Sequence, residues 1–274
     1  MATQSYIELN DGNRIPSIGL GVWQATQEQA RAAVSEALRA GYRHVDTASI
    51  YENEEGVGAG LVDAAVPRSD IFVTTKIWND AHGAGKTAQA LDASLQRLNL
   101  DYIDLLLIHW PDPKQDLYAE TWRALIRARE QGKVRSIGVS NFNAEHLQRL
   151  VDETCVVPVI NQIELHPFFQ QHALREAQER MGIRTQAWSP LGQSEALRDP
   201  AIAAIAVRHG RTAAQVVLRW HLQLGHIAIP KSVTPERIHA NLDVFDFTLV
   251  QEDMDAIAAL DAGRRLGPDP LQFP

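Results

Sequence analysis

Cysteine is almost absent from the sequence. Cys155 is the single one in 274 residues, so neither an internal disulfide nor a cysteine-rich zinc site can be built. That usage fits a reducing cytoplasm, and Cys155 itself reads as a small buried hydrophobe. Long apolar runs are missing too: no stretch approaches the ~20 residues that span a bilayer. The first residues, MATQSYIELNDGNRIP, hold no basic segment leading into an apolar one, so neither membrane insertion nor secretion is expected. Runs of Lys and Arg are also lacking, and 34 acidic against 26 basic residues leave a formal net charge of −8. A phosphate backbone needs a basic stripe, so nucleic acid is not an expected partner. A few cations converging in one pocket could still hold a small anion on an acidic surface. The expectation is a monomer that binds a small molecule.

What is present is an ordinary globular composition, 45% hydrophobic and 22% charged. After a short hairpin, YIEL and RIPSI joined at DGN, a short apolar run, a polar loop and an amphipathic segment recur in that order. The apolar runs at 19–22, 44–47, 71–77, 102–109, 136–139, 159–163, 185–188 and 227–229 read as eight strands. Helical spacing marks the segments between them, among them TQEQARAAVSEALRAG, with Thr26 as N-cap and Gly41 as C-cap. YIDLLLIH is apolar on both faces, as a strand must be when helices cover one side and barrel side chains fill the other. Strict alternation over eight units favours a (β/α)8 barrel as one domain over residues 1–274. The Pro/Gly-rich end, AGRRLGPDPLQFP, reads as a loop tail over the active-site face or as a mobile loop.

In such a barrel the chemistry collects where strands end, so polar residues just after each apolar run are the candidates. They are Asp46 and Tyr51, Lys76, His109, Ser140 with Asn141, Gln162 with Glu164, Trp188 with Ser189, and Lys231 with Ser232. Polar residues at strand ends are common on structural grounds alone, but Tyr, Lys, Asp and His at one mouth make a set suited to protonating a carbonyl oxygen. Free tyrosine titrates near ~10, and an adjacent ammonium from Lys76 would lower that value. Asp46 would hold Lys76 charged, and His109 could direct the carbonyl oxygen by a hydrogen bond.

A second site is legible in IPKSVTPERIHANL. Lys231, Ser232, Val233 and Thr234 leave the last strand, Thr234 or Ser232 can cap the next helix, and Arg237 lies on its first turns. Cations and hydroxyls at a helix N-terminus suit a phosphate. The Rossmann fingerprint is not available for this purpose, because the glycines of NEEGVGAGLV fall within a helical pattern and at other spacings.

GLGVWQ, DTASIYENEEGVG, TTKIWND, YIDLLLIHWP, SIGVSNF, INQIELHP, AWSPLG and IPKSVTPERIHANL together resemble the motifs of the aldo-keto reductase family, in the family's order along nearly the whole chain. Within it, NQIELHP, VLRWHLQ and RLGPDP are most similar to bacterial reductases of 2,5-diketo-D-gluconate, which also reduce methylglyoxal. The resemblance implies an NADPH-dependent reductase with Asp46, Tyr51, Lys76 and His109 as its catalytic tetrad and Tyr51 as the acid. It implies that Ser140, Asn141 and Gln162 hold the nicotinamide carboxamide, with Trp188 on its ring beside Ser189 and Leu191. It further implies that Lys231, Ser232 and Arg237 grip the ribose phosphate that separates NADPH from NADH, with Asn241 by the adenine.

Trp23, Ala48, Ile50, Trp78, His109 and Trp110 follow strand ends and are expected to wall the carbonyl pocket, with the tail closing it. Two other functions use the same residues. A metal-dependent hydrolase would recruit Asp46, His109, Glu164 and His166 but needs histidines that converge, and no metal is expected. A sensor subunit would bind NADPH without turning over, which an intact tetrad disfavours.

Overall fold

The structure, a computed structural model, describes residues 4–273. The ends of the expected 1–274 domain, residues 1–3 and 274, lie outside the described residues. Two short strands, β1 (Tyr6–Glu8) and β2 (Arg14–Pro16), form the antiparallel N-terminal hairpin. Eight parallel strands follow: β3 (Leu20–Gly21), β4 (His44–Asp46), β5 (Phe72–Ile77), β6 (Ile103–Ile108), β7 (Val134–Ser140), β8 (Ile160–Glu164), β9 (Arg184–Trp188) and β10 (Ile227–Ala228). They pair in sequence order, and the first meets the last. Gly19 N donates to Ala228 O at 3.0 Å, Gly21 N to Pro230 O at 3.1 Å and Ala228 N to Ser17 O at 2.9 Å, which closes the barrel. Each expected strand is found, with ends shifted by no more than two residues.

Helices α1 (Gln27–Ala40), α2 (Glu54–Ala64), α3 (Ala84–Leu98), α4 (Tyr118–Glu130), α5 (Ala144–Thr154), α6 (His172–Arg180), α7 (Pro200–His209), α8 (Ala213–Gln223), α9 (Pro235–Leu242) and α10 (Gln251–Ala258) surround the ring. Thr26 and Gln29 cap α1 reciprocally, at 3.2 and 3.1 Å, and Gly41 ends it in the left-handed region at φ 115°. The glycines of α2 are there for contact. A Cβ on Gly56 would collide with the Gln27 carbonyl and one on Gly58 with that of Leu98, so α2 lies directly on α1 and on the end of α3.

β6 shows the two-sided burial of a barrel strand. Leu105 and Leu107 join Leu9, Ile15, Phe72, Val159, Ile160 and Ile227 in the cluster that the hairpin seals from below. Leu106 and Ile108 face the larger cluster under the helices. No helix among the described residues is long and apolar enough to cross a membrane. Two expectations fail. Cys155 is exposed, because it is the residue that ends α5 in a left-handed turn at φ 55° and so stands outside the core. The helices α7 and α10 have no counterpart in the sequence reading, which leaves SPLGQSEALRDP as the start of a plain loop.

Candidate active site

Asp46 is the last residue of β4, after which the chain makes a tight turn, Ser49–Tyr51, that presents the tyrosine. Ala48 accepts from Tyr51 N at 3.0 Å and Ser49 Oγ donates to Lys76 O at 3.0 Å, fastening this turn to itself and to β5. Asn53, fully buried, holds it from behind: it accepts from Thr47 Oγ1 at 2.9 Å and donates to the carbonyls of Val22 and Ala25. Lys76 projects from β5 with no exposure at all. Its ammonium donates to Asp46 Oδ1 at 2.5 Å and to Thr47 O at 2.8 Å, and its Nζ stands 5.2 Å from the centre of the Tyr51 ring, whose hydroxyl takes a further hydrogen bond. His109, just beyond β6, lies edge-on to Tyr51 with ring centres 5.7 Å apart and to Trp78 at 5.0 Å. The four side chains singled out as a proton-transfer set thus converge on one point.

They sit at the base of a cavity of about 450 Å³. Trp23, Ile50, Trp78 and Trp110 form its aromatic and apolar wall, and Gly267, Pro268 and Phe273 of the tail form its roof. Phe273 packs on Trp110 with ring centres 4.5 Å apart. Ala48 is not in this wall. It is fully buried at the start of the turn, where its carbonyl accepts from Tyr51 N, so its expected contact with substrate is corrected to a backbone role within the turn.

Ser140, Asn141, Gln162, Trp188 and Ser189 line the opposite side. Ser140 Oγ donates to Gln162 O at 2.8 Å, Asn141 Nδ2 to His109 O and Ser140 Oγ at 3.0 Å each, and Trp188 Nε1 to Asn141 Oδ1 at 2.8 Å. Asn141 at φ 64° and Ser189 at φ 47° hold left-handed backbone, the kind of strain that persists where a site over-determines it. Gln162 reaches across the barrel: its Nε2 donates to Asp46 Oδ2 at 2.8 Å and to Gln186 Oε1 at 3.2 Å. Leu191 instead packs its side chain against the hydrophobic clusters.

The last strand end extends the site. Lys231 lines the cavity, is exposed, and bridges to Gly21 where the barrel closes. Ser232 accepts from Thr234 N at 3.1 Å, while Thr234, the N-cap residue of α9, makes no side-chain capping bond. Arg237 is exposed on the first turn and forms no ion pair among the described residues. An uncapped helix N-terminus with two available cations is suited to an anion. Asn241 is buried farther along α9, and Val233 rests on the core.

Burial governs the ionisation of this site. It raises the Tyr51 phenol above its ordinary value by more than the Lys76 charge and hydrogen bond lower it, so the phenol is shifted upward and not downward as the ammonium alone would have it. Burial works against the charge of Lys76 as well, but Asp46 and Tyr51 together hold it above its usual range. Burial lifts the Asp46 carboxyl, against the pull of Lys76 and Gln162. His109 is pushed well below its ordinary value by burial and by Lys76, and its Nδ1 is buried without a partner among the described residues. It is therefore a neutral imidazole able to donate from one nitrogen. Glu164 and His166 do not face this centre as ligands: they bond to each other at 3.0 Å. Asn53, Thr47 through its carbonyl, Gln186, Gln24 and Gln193 belong to the site or its support without having been marked by the strand-end rule.

A barrel whose strand ends carry an acid, an ammonium-bound phenol and an amide-lined aromatic cleft defines an oxidoreductase-type site, and comparison with known proteins specifies the class. The sequence profile of the aldo/keto reductase family matches residues 17–262. An aldo-keto reductase of Mycolicibacterium smegmatis is 55% identical over 97% of both chains. Methylglyoxal reductase DkgA of Yersinia pestis is 54% identical over 100% of this chain and 99% of its own. Among solved structures, a Gox0644 mutant in complex with NADPH superposes with a TM-score of 0.95 at 52% identity, covering 99% of each chain. The Bombyx mori aldo-keto reductase in complex with NADP gives 0.92 at 40% identity, covering 100% of this chain and 99% of its own. The chain belongs to the aldo/keto reductase family.

Proposed function

We propose that this chain, acting as one barrel domain, is an NADPH-dependent reductase of small carbonyl compounds, with α-dicarbonyls such as methylglyoxal and keto-sugar acids such as 2,5-diketo-D-gluconate among its substrates. The observation that carries the reading is the fully buried Lys76 ammonium, held by Asp46 directly beside Tyr51 at the base of an aromatic cavity. NADPH supplies a hydride to the carbonyl carbon. Everything else falls to this chain's own side chains. Tyr51 stays protonated at neutral pH and gives its proton to the carbonyl oxygen as that oxygen gains charge. The phenolate left behind is stabilised by Lys76 and later recovers a proton from water. His109, being neutral, adds a hydrogen bond that fixes the oxygen between the two rings without placing a second positive charge in the pocket.

The cofactor fits the residues present. Asn141 and Gln162 carry amide oxygens with lone-pair capacity toward the cavity, which suits the donors of a carboxamide, and Trp188 supplies an indole beside them. Lys231, Ser232 and Arg237, at the uncapped start of α9, suit the extra ribose phosphate. The likeness to methylglyoxal reductase DkgA of Yersinia pestis supports the substrate class. A compact wall with an aromatic roof suits small dicarbonyls, whose second carbonyl also makes the reacting carbon more electrophilic. The test is the loss of NADPH absorbance on adding methylglyoxal or 2,5-diketo-D-gluconate. Turnover is the expected result. Tight NADPH binding with no turnover of any carbonyl would identify a sensor and overturn the reading.

A further inference from the structure

The tail that roofs the cavity is fastened by a carboxylate for which the reaction has no use. Glu164 is the last residue of β8 and only 1% exposed. Its Oε1 accepts from Leu266 N at 2.6 Å and from His166 Nε2 at 3.0 Å, and its Oε2 accepts from Gly267 N at 2.9 Å. Two consecutive backbone amides therefore donate into one carboxylate, a geometry that needs two acceptor oxygens and that no neutral side chain reproduces. Burial acts to raise Glu164, but the hydrogen bonds from His166, Leu266 and Gly267 bring it below the usual carboxylate range, so it stays ionised.

The grip lies at the edge of the cavity. A Cβ on Gly267 would collide with Trp188 Cη2, so the tail rests directly on the indole. Upstream, Ala262 N and Arg264 N both donate to Phe168 O, at 3.1 and 3.0 Å, and Arg264 pairs with Glu195. The Glu164 bonds are the last of these fastenings before the chain runs out across the cavity as Pro268 to Phe273. We infer that Glu164 is a positioning residue and a determinant of substrate specificity: by clamping Leu266 and Gly267 it sets where the tail, and with it Phe273, stands over the carbonyl. The specificity part of this inference rests on the carbonyl reading of the cavity; the clamp does not.

The clamp is tested with Glu164→Gln. The substituted amide turns an N–H toward one of the two backbone donors, so one bond is lost and two donors face each other. Hydrogen exchange across residues 265–273 is expected to quicken by about tenfold or more, the scale of one lost charge-assisted bond. In parallel, KM for methylglyoxal should rise by more than kcat falls, with the NADPH Kd within about twofold of the parent. Gly267→Ala attacks the same contact from the Trp188 side with Glu164 intact, and should release the tail in the same way. Should Glu164→Gln not fold, as judged by its thermal melt, Gly267→Ala decides by the same two readings. Unchanged tail exchange overturns the clamp, and faster exchange with an unchanged carbonyl KM overturns its role in specificity. A parent protein that turns over no carbonyl overturns the functional reading instead, and the exchange measurement still stands by itself.

Discussion

Lys76 is a charge with no access to water, and such a charge persists only when its partners are complete. Asp46 Oδ1, Thr47 O and Tyr51 account for its donors, and Gln162 occupies the other oxygen of Asp46, so the ammonium, the carboxylate and the Gln162 amide form one connected unit. Tyr51→Phe leaves that unit nearly intact but removes the proton. Turnover should fall at least ~100-fold, since general acid catalysis commonly supplies ~10²–10⁴, while NADPH binding, followed by fluorescence titration, stays near the parent value. Lys76→Met should be as damaging, and its pH dependence carries a sign. The ammonium lowers the phenol against burial, so without it the phenol moves higher still, and the residual reduction rate should persist to more alkaline pH than in the parent. A residual profile displaced toward acid would contradict the assignment of the proton to Tyr51. Arg237 is tested by cofactor choice. Because it is exposed and forms no ion pair among the described residues, Arg237→Ala should cost NADPH binding ~1.5–3 kcal/mol, the range for a hydrogen bond to a charged group, and leave NADH binding unchanged. Equal losses for both cofactors would make it a residue that supports α9 only.

Elements read from a sequence by periodicity are read well when they are two-faced, and this barrel shows both sides of that rule. α2 looks at first like a poor helix, with glycines at 56, 58 and 60, yet those glycines are what let it touch α1 and α3. Gly58→Ala gains ~1 kcal/mol of helix propensity but drives a Cβ into the Leu98 carbonyl, a backbone atom that cannot swing aside. Overpacking of this kind costs ~1–3 kcal/mol, so urea denaturation should find the variant less stable; a stabilised variant would mean that α2 can shift away without loss. The barrel strands were legible because each apolar run is followed by polar residues, and the same rule exposed Asp46, Lys76 and His109. α7, in contrast, reads PAIAAIAVRH and is apolar on most sides, so it has no polar stripe to mark its period; only its ends announce it, where Asp199 caps the amides of 201 and 202, Pro200 takes the first position and Gly210 closes the helix in the left-handed region. Ala48 misled because position after a strand does not say which way a side chain points. Gln186, Asn53 and the grip of Glu164 were not legible at all. Gln186 lies inside its strand, and Glu164 meets its amide partners 102 and 103 residues later, a pairing that exists only once the barrel and its tail have come together.

At the scale of the whole molecule, a closed barrel buries polar groups that a smaller fold would leave wet, and the histidines bear most of that cost. His44 is pushed down to about 3, by burial and then by Lys76. His221 is also brought to about 3, chiefly by burial, and His82 to about 4 for the same reason. His109 and His226 lie well below their ordinary range. Their surroundings explain why none can charge in place: His44 Nδ1, both ring nitrogens of His82, and the Nδ1 atoms of His221 and His226 are buried without partners among the described residues. As pH falls below about 6.5, the unfolded chain takes up protons on these imidazoles that the folded chain refuses, so acid favours unfolding. The stability at stake is present at neutral pH and is lost between about 6.5 and the folded values near 3 to 4. At pH 5 the full effect is ~2 kcal/mol for each such histidine, and half of that for three of them is still ~3 kcal/mol, a substantial fraction of a typical ~5–15 kcal/mol. Asp46 and Asp104, whose buried carboxyls are raised, work in the opposite sense as they take up protons in the folded state, whereas Glu164 and Asp253, which are lowered, add to the acid loss. Urea midpoints measured at pH 7.5 and pH 5 should therefore drop, and His221→Gln should lessen the drop because a neutral amide has no proton to gain. His221 serves for this test because its Nε2 bonds to the Pro190 carbonyl, away from the proton-transfer centre, and a glutamine Nε2 can keep that bond. A midpoint that is flat from pH 7.5 to pH 5 would show that the barrel admits water to these rings and lets them charge while folded.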